Sequence, residues 1–281
     1  MTDGDALYVV AGGGNGVTLE LGSIERVDLR SGKSSILPVQ ILPRRFHGAA
    51  LFGRKLVIVG GEGPPPDLHL GTVEEVDVDT LTVRTLTRMP TARRALSAVK
   101  VDNLLFTIGG SAPFDRENFS RSNLVEIWDE SAGKWLNGPP MPSTKEAGAV
   151  LHGRFIYVLG GYDGLRMATS SCDRYDLTKG KWEKLGPVPF KLSAYSGVDI
   201  GRAIVCFGDY ETIGQIAAYL PARDQWLKIE VPFVPRRHSA ACRVGEEIYV
   251  VGGWDGQPRD LIERYSVTQL EAAIVRAAQK R

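Results

Sequence analysis

The chain contains little cysteine and little histidine, three and four residues respectively among 281. Cys172, Cys206 and Cys242 lie far apart and are odd in number, so they predict neither a disulfide framework nor a zinc site. The histidines form no i, i+4 pair and no HExxH motif, and no GxSxG elbow is present. We therefore expect no metal, no cofactor and no catalytic residues, and a reducing, cytoplasmic location.

The chain also lacks long apolar runs and an excess of charge of either sign. No segment approaches the roughly 20 apolar residues of a membrane-spanning helix, and the acidic N-terminus before Ala6 is unlike a signal peptide. Lys and Arg total 34 against 33 Asp and Glu, for a net charge of +1. Because nucleic-acid-binding proteins usually carry a marked basic excess, the composition argues against such a partner and against a membrane.

Glycine is abundant, with 32 residues, and much of it is arranged in doublets. Each doublet ends a short apolar run, which is typical of a strand buried on both faces. A later run alternates polar and apolar residues, which predicts a strand with one exposed face. A degenerate copy, Gly208-Asp209, completes a series of six whose first members lie 48, 49, 51, 48 and 44 residues apart. The doublets are Gly12-Gly13, Gly60-Gly61, Gly109-Gly110, Gly160-Gly161 and Gly252-Gly253.

Four strands in each unit, with glycine and aromatic residues at fixed positions, are typical of a propeller blade. The doublet, an aromatic residue after it and a later tryptophan resemble the kelch repeat over residues 6–267. The tryptophans are Trp135, Trp182 and Trp226, and the strongest matches contain Tyr162 and Trp254. The resemblance implies an all-β fold, a six-bladed kelch-type β-propeller of four-stranded antiparallel blades.

The repeat does not close evenly, because residues 1–267 supply 22 of the 24 strands that six complete blades need. The first copy starts on its second strand at Ala6, so we expect the first and last repeats to be incomplete. Thr268 and Glu271 form a capping-box pattern, which predicts that residues 268–281 form a short helix. This helix either covers an exposed blade edge or stands in solvent.

Basic residues recur where the first strand of each copy begins. Aligned without gaps, the copies place five residues at one position: Arg45, Arg94, Lys145, Ser193 and Arg237. In three copies the preceding residue is also arginine: Arg44, Arg93 and Arg236. In kelch domains that bind peptides, arginine at this strand start faces the ligand, and the resemblance implies that role here. A structural alternative remains, in which these side chains pair with backbone carbonyls or acidic residues of adjacent blades.

Two functions from different classes fit this pattern. The first is a non-catalytic interaction module, an adaptor or scaffold that presents an arginine-lined channel mouth and the blade loops to a protein or an acidic peptide. The arginines would bind acidic groups, and Tyr162, Tyr210 and Trp254 would add contacts or pack between blades. The alternative is a kelch enzyme of the sugar-acid mutarotase or epimerase type, acting on a carboxylated substrate. A carboxylate or histidine among the arginines would favour the enzyme, and a flat, open face would favour protein binding.

Overall fold

A computed structural model describes residues 1–14, 20–113, 119–163 and 167–280. The chain divides into two compact units, Met1–Glu146 and Ala147–Arg281, called here the first and the second unit. Both units are built from short antiparallel strands joined by tight turns, as the density of glycine predicts.

The first unit contains three sheets and one inserted hairpin. The first sheet holds β1 (Ala6–Gly13), β2 (Glu20–Asp28) and β3 (Ser34–Ile36). The second holds β4 (Gly48–Phe52), β5 (Lys55–Val59), β6 (Thr72–Asp77) and β7 (Thr82–Arg88). The third holds β8 (Ser97–Val101), β9 (Leu104–Ile108), β12 (Val125–Asp129) and β13 (Lys134–Asn137). The hairpin of β10 (Ser111–Pro113) and β11 (Phe119–Arg121) lies between β9 and β12 and was not predicted.

The second unit contains three sheets and a helix. Its first sheet holds β14 (Ala149–His152), β15 (Phe155–Leu159), β16 (Cys172–Asp176) and β17 (Lys181–Leu185). The next holds β18 (Ser196–Asp199), β19 (Ile204–Phe207), β20 (Ile216–Leu220) and β21 (Gln225–Lys228), with a 3₁₀ turn at Pro221–Arg223. The last holds β22 (Ala240–Val244), β23 (Glu247–Val251) and β24 (Ile262–Ser266), followed by α1 (Val267–Gln279).

Among the described residues, the two units together provide four four-stranded sheets and two three-stranded sheets. These six sheets confirm the predicted fold class, a six-bladed kelch-type β-propeller, and their 22 strands match the predicted number. The incomplete blades are the first and the last, also as predicted. The first sheet lacks the first strand of the repeat, and the last sheet lacks the fourth.

The residues before Ala6 pair with the edge of β1 that the missing strand leaves open. The Met1 ammonium donates to the Tyr8 carbonyl at 3.0 Å, and the Tyr8 N–H donates to the Met1 carbonyl at 2.8 Å. Thr2 forms an antiparallel bridge with Leu7. This short segment satisfies backbone groups that an open sheet edge would expose.

The burial of the second and third strands of the repeat agrees only in part with the burial predicted for them. In the four complete sheets the strand before the doublet is buried on both faces as predicted, with Leu56, Val57, Ile58 and Val59 almost inaccessible in β5. In the first and last sheets the corresponding strands, β1 and β23, are only partly buried. The exposed face predicted for the next strand is wrong in β6 and β12, because Glu74, Glu75 and Glu126 are buried there. Charged side chains persist in such a place only when they are paired, and each of these is.

The glycine doublets turn the chain away from the sheet in a left-handed conformation. Gly60 and Gly61 have φ of 62° and 105°, and a Cβ on Gly60 would lie 2.7 Å from the Arg93 carbonyl oxygen. In the first copy the two positions are Ala11 and Gly12, with φ of 52° and 123°. The doublet predicted at Gly12-Gly13 is therefore one residue late.

Helix α1 begins one residue before the predicted segment. Its N-cap is Ser266, whose Oγ accepts a hydrogen bond from the Gln269 N–H at 3.0 Å, so the cap predicted at Thr268 is wrong. Leu270 and Ile274 are buried in the core of the second unit, so the helix covers blade surface there. No helix in the described part of the chain is long and apolar enough to span a membrane.

Candidate functional site

Arg44, Arg93 and Arg236 lie at equivalent positions and are fully buried. Each guanidinium donates to the carbonyl of the first residue of a glycine doublet: Gly60 at 2.9 Å, Gly109 at 2.9 Å and Gly252 at 2.7 Å. Each also pairs with a glutamate of the same sheet: Glu74, Glu126 and Glu263. A fully buried guanidinium offers no surface to a partner, so these three arginines hold the loops of their own blades.

Lys145 belongs to this buried row and not to the row of Arg45 and Arg94, where the ungapped alignment placed it. Its carbonyl accepts from the Gly110 N–H at 3.0 Å, just as the Arg93 carbonyl accepts from the Gly61 N–H at 2.9 Å, and its side chain is fully buried. Other copies have a left-handed residue two positions later, but residues 145–148 contain none. This copy is one residue shorter there, and Glu146 takes the place of Arg45 and Arg94.

Ser193 is at the aligned position but is also buried. Its N–H and its hydroxyl both contact Asp209 Oδ1, at 2.8 Å and 3.4 Å. Asp209 Oδ2 accepts from the N–H groups of Glu211 and Thr212, at 3.0 Å and 2.9 Å. The carboxylate that replaces the second glycine of this copy thus organises its own loop.

Arg45 and Arg94 meet on one buried carboxylate in the first unit, and we call Arg45, Glu62 and Arg94 the Glu62 cluster. Arg45 Nε lies 3.0 Å from Glu62 Oε1, and Arg45 Nη2 donates to the same oxygen. Arg94 Nη1 donates to Glu62 Oε2. Glu20 lies 3.6 Å from Arg45 Nε. The positive charge predicted at this position is therefore largely compensated within the unit.

A second ion pair lies close to this cluster. Arg121, at the end of β11, contacts Glu146 at 3.2 Å. Burial raises the pKa of Glu146, although the charges of Arg121 and Arg94 lower it. Burial, and then the positive charge of Arg94, lower the pKa of His69. The carboxylates here are engaged by arginines, and no set of three metal-ligating side chains occurs among the described residues.

Tyr162, Tyr210, Arg237 and Trp254 come together in the second unit, and we call them the Tyr210 cluster. The Arg237 guanidinium lies 3.8 Å from the centre of the Tyr210 ring, and its Nη1 donates to the Tyr210 carbonyl at 3.0 Å. The rings of Tyr162 and Tyr210 meet edge-on at 5.3 Å. Arg237 and Trp254 exchange backbone hydrogen bonds of 3.0 and 2.8 Å. The cluster thus joins two aromatic side chains and one cation, and Trp254 is linked to Arg237 through the backbone.

This cluster remains accessible. Tyr210 and Trp254 are 40% and 37% exposed. Arg237 is half-buried and forms no ion pair with any residue that the structure describes. Its Nε is buried and has no hydrogen-bond partner there. Burial raises the pKa of Tyr162 to about 12, so its hydroxyl stays protonated and able to donate. His238, whose ring lies 6.3 Å from that of Tyr210, was not predicted as part of the site.

The sheets, their order and the doublet loops define a repeat protein of the propeller class. The Kelch motif matches residues 143–189 and 235–270. In these two copies the glycine doublet is followed by an aromatic residue, an aspartate and a glycine. These matches confirm the predicted resemblance to the kelch-repeat family.

Several curated kelch proteins are similar to part of the chain. Kelch-like protein 38 of Rattus norvegicus is 24% identical over 176 residues, 61% of this chain and 30% of that protein. Kelch-like protein terF of Aspergillus terreus is 24% identical over 198 residues, 62% of this chain and 42% of that protein. Kelch repeat protein M-T8 of Myxoma virus is 23% identical over 171 residues, which are 58% of this chain and 32% of that protein. The matches cover less than half the length of these relatives.

Proposed function

We propose that the chain is a non-catalytic interaction module that binds a protein partner through the Tyr210 cluster. The observation that carries the proposal is a partly exposed arginine stacked on an exposed tyrosine, with no carboxylate of the described residues paired to it. Tyrosine, tryptophan and arginine are the side chains most enriched at the energetic centres of protein interfaces. A guanidinium held flat on an aromatic ring is also fixed in place before a partner arrives, which lowers the entropy lost on binding.

The partner that fits this cluster presents a carboxylate beside an apolar group. Arg237 Nη1, which donates to the Tyr210 carbonyl, lies at an exposed position, and carboxylates accept two hydrogen bonds from an arginine fork. The faces of Tyr210 and Trp254 suit an apolar neighbour. The kelch-like relatives give general support, since propellers of this family are commonly interaction modules.

The experiment is affinity capture with four forms of the full chain, read by quantitative mass spectrometry. The baits are wild type, Tyr210→Ala, Arg237→Ala and Arg174→Ala. Arg174 is the matched control, because it also lies over an aromatic ring, 4.6 Å from the centre of Phe155, but is paired with Glu183. A specific partner should be retained by wild type and Arg174→Ala and lost from the other two.

The captured partner then gives a quantitative test. Each of Tyr210→Ala and Arg237→Ala should weaken its affinity by about 30-fold, the effect of a residue at the centre of an interface. Affinity for wild type should also fall as salt is raised, because the proposed contact is ionic. Folded variants that retain the same partners with unchanged affinity would remove the Tyr210 cluster from consideration.

A further inference from the structure

The Glu62 cluster contains an arginine pair that already holds an anion. Both oxygens of Glu62 are engaged, Oε1 by Arg45 and Oε2 by Arg94. The Glu62 side chain is only 4% exposed, whereas those of Arg45 and Arg94 are 31% and 21% exposed. The carboxylate thus lies beneath two partly accessible guanidiniums, where it takes up hydrogen-bond donors that an incoming carboxylate would need.

In the described part of the second unit, no carboxylate pairs with the partly exposed Arg237. The residue after the doublet is Glu62, Ser111, Tyr162, Tyr210 and Trp254 in successive copies, and Glu62 is the acidic one. In the copies of Arg45 and Arg237 this residue bridges directly to the arginine: Glu62 to Arg45 and Trp254 to Arg237. The charge of Arg45 is therefore compensated because the residue at this repeat position is Glu62, and the charge of Arg237 is not because the residue there is Trp254.

We propose that Glu62 is a specificity-determining residue that occupies the Arg45–Arg94 pair as an internal carboxylate and excludes acidic ligands from it. An internal carboxylate has a large advantage over a free one, because the chain holds it in position at a high effective concentration. The acidic group of a partner is then left with Arg237. This last step rests on the proposed function, whereas the occupation of Arg45 and Arg94 by Glu62 does not.

The test replaces Glu62 by its neutral isostere and measures a gain of anion binding. The probe is a fluorescein-labelled tetraglutamate peptide, and its binding is followed by fluorescence polarisation at low salt. All forms of the protein carry Arg237→Ala, so that the peptide cannot bind to this arginine of the second unit. Glu62→Gln should increase affinity about tenfold. The gain should disappear in high salt and when Arg45 and Arg94 are both changed to alanine.

Glu75→Gln is the matched control for net charge. Glu75, in β6, is buried like Glu62 and likewise pairs with two cations, Lys55 at 3.6 Å and Arg84 at 2.8 Å. It takes no part in the Glu62 cluster. It should leave the affinity for tetraglutamate unchanged. An equal gain from Glu75→Gln, or no gain from a folded Glu62→Gln protein, would overturn the proposal.

A second measurement needs no variant. Phenylglyoxal modifies accessible guanidiniums, and its sites can be located by peptide mass spectrometry. In the wild type, Arg237 should react several-fold faster than Arg45 and Arg94, because Glu62 already engages guanidinium nitrogens of the latter two. Equal or faster reaction of Arg45 and Arg94 would contradict occupation by Glu62. Failure of either measurement leaves the Tyr210 cluster and its own variants unaffected, so the two proposals fail separately.

Discussion

At the scale of single residues, the arginines of this chain separate into two roles that the sequence does not distinguish. Arg44 and Arg45 are neighbours of the same type, yet the first is fully buried and the second is partly exposed. The difference arises because successive residues of an extended segment point to opposite sides. Arg44 faces the doublet and the third strand of its sheet, and Arg45 faces the loop that follows the doublet.

The fifth copy of the repeat shows that a blade can form without a buried arginine–glutamate pair such as Arg93–Glu126. Leu192 stands where Arg93 stands, since its carbonyl accepts from the Gly161 N–H, and Ala217 is the second residue of β20 as Glu126 is of β12. Both are fully buried. The same blade architecture therefore forms with an ion pair or with two apolar residues, as is known for buried ion pairs generally.

We predict that Arg93→Leu alone lowers the free energy of unfolding by about 3–5 kcal/mol, because the Glu126 carboxylate is then buried without its partner. The double change Arg93→Leu with Glu126→Ala should recover most of that loss. Urea unfolding of the three proteins measures both values. Arg264→Ala, which removes an exposed arginine paired with the exposed Glu247, should cost less than about 1 kcal/mol. A double variant as unstable as Arg93→Leu would contradict the argument.

At the scale of elements, periodicity predicted the strands well and the register of individual copies less well. The six apolar runs ending at glycine became second strands, because a run buried on both faces has few alternatives. Lys145 was misplaced because a one-residue deletion lies between it and Gly148. The ungapped alignment conceals this deletion, because it places Gly148 opposite another glycine, Gly48. The pairing of Glu62 with two arginines was also beyond prediction, since Arg94 belongs to the next sheet and is 32 residues away.

The helix start gives a direct test of one element boundary. Ser266→Ala removes the oxygen that accepts from the Gln269 N–H, so we predict a loss of about 1 kcal/mol in the free energy of unfolding. Thr268→Ala, at the cap position that the sequence pattern indicated, should cause a loss of less than about 0.5 kcal/mol. Thermal unfolding followed by circular dichroism compares the two. A larger effect at Thr268 would show that the helix begins later.

The N-terminal segment is held on β1 by Asp3. Its carboxylate accepts from the Ala6 N–H at 2.8 Å, from the Tyr8 hydroxyl at 2.9 Å and from Arg54. Although burial acts in the opposite direction, these hydrogen bonds lower the pKa of Asp3 to about 2. Asp3→Asn should therefore reduce stability by about 1–2 kcal/mol.

Asp5→Asn provides the comparison for this segment. Asp5 forms one exposed ion pair, with Arg30 at 3.5 Å, which contributes little to stability. Both variants carry the same change in charge. If they unfold at the same denaturant concentration, Asp3 does not hold the segment on β1.

At the scale of the whole molecule, titratable groups in both units favour folding at neutral pH over acid. Carboxylates of the strand-connecting turns, Asp77 in the first unit and Asp176 in the second, accept backbone hydrogen bonds from the residues that follow them. These bonds lower both pKa values, against an opposing effect of burial. A carboxylate whose pKa is lower when folded contributes stability above its unfolded pKa, and this stability is lost as the pH falls towards the folded pKa.

Histidine adds an earlier loss of stability on the same acid limb. Burial, and then the positive charge of Arg44, lower the pKa of His47 to about 4, and its Nδ1 has no hydrogen-bond partner among the described residues. Below the unfolded pKa of about 6.5, the unfolded chain binds a proton at this histidine that the folded chain does not. Stability should therefore decrease from about pH 6.5 down to about pH 4, and the loss from carboxylates should follow below pH 4.

We predict that urea midpoints are constant from pH 8 to pH 7, fall by pH 5 and fall further by pH 3. The first decrease should shrink by the equivalent of about 1–2 kcal/mol in His47→Gln, because that side chain no longer gains a proton on unfolding. The second decrease should be unchanged in this variant, since it arises from carboxylates. The comparison uses the change between pH values within each protein, so any loss of packing in His47→Gln at pH 8 cancels. An identical fall between pH 7 and pH 5 in both proteins would show that His47 does not titrate differently in the folded chain.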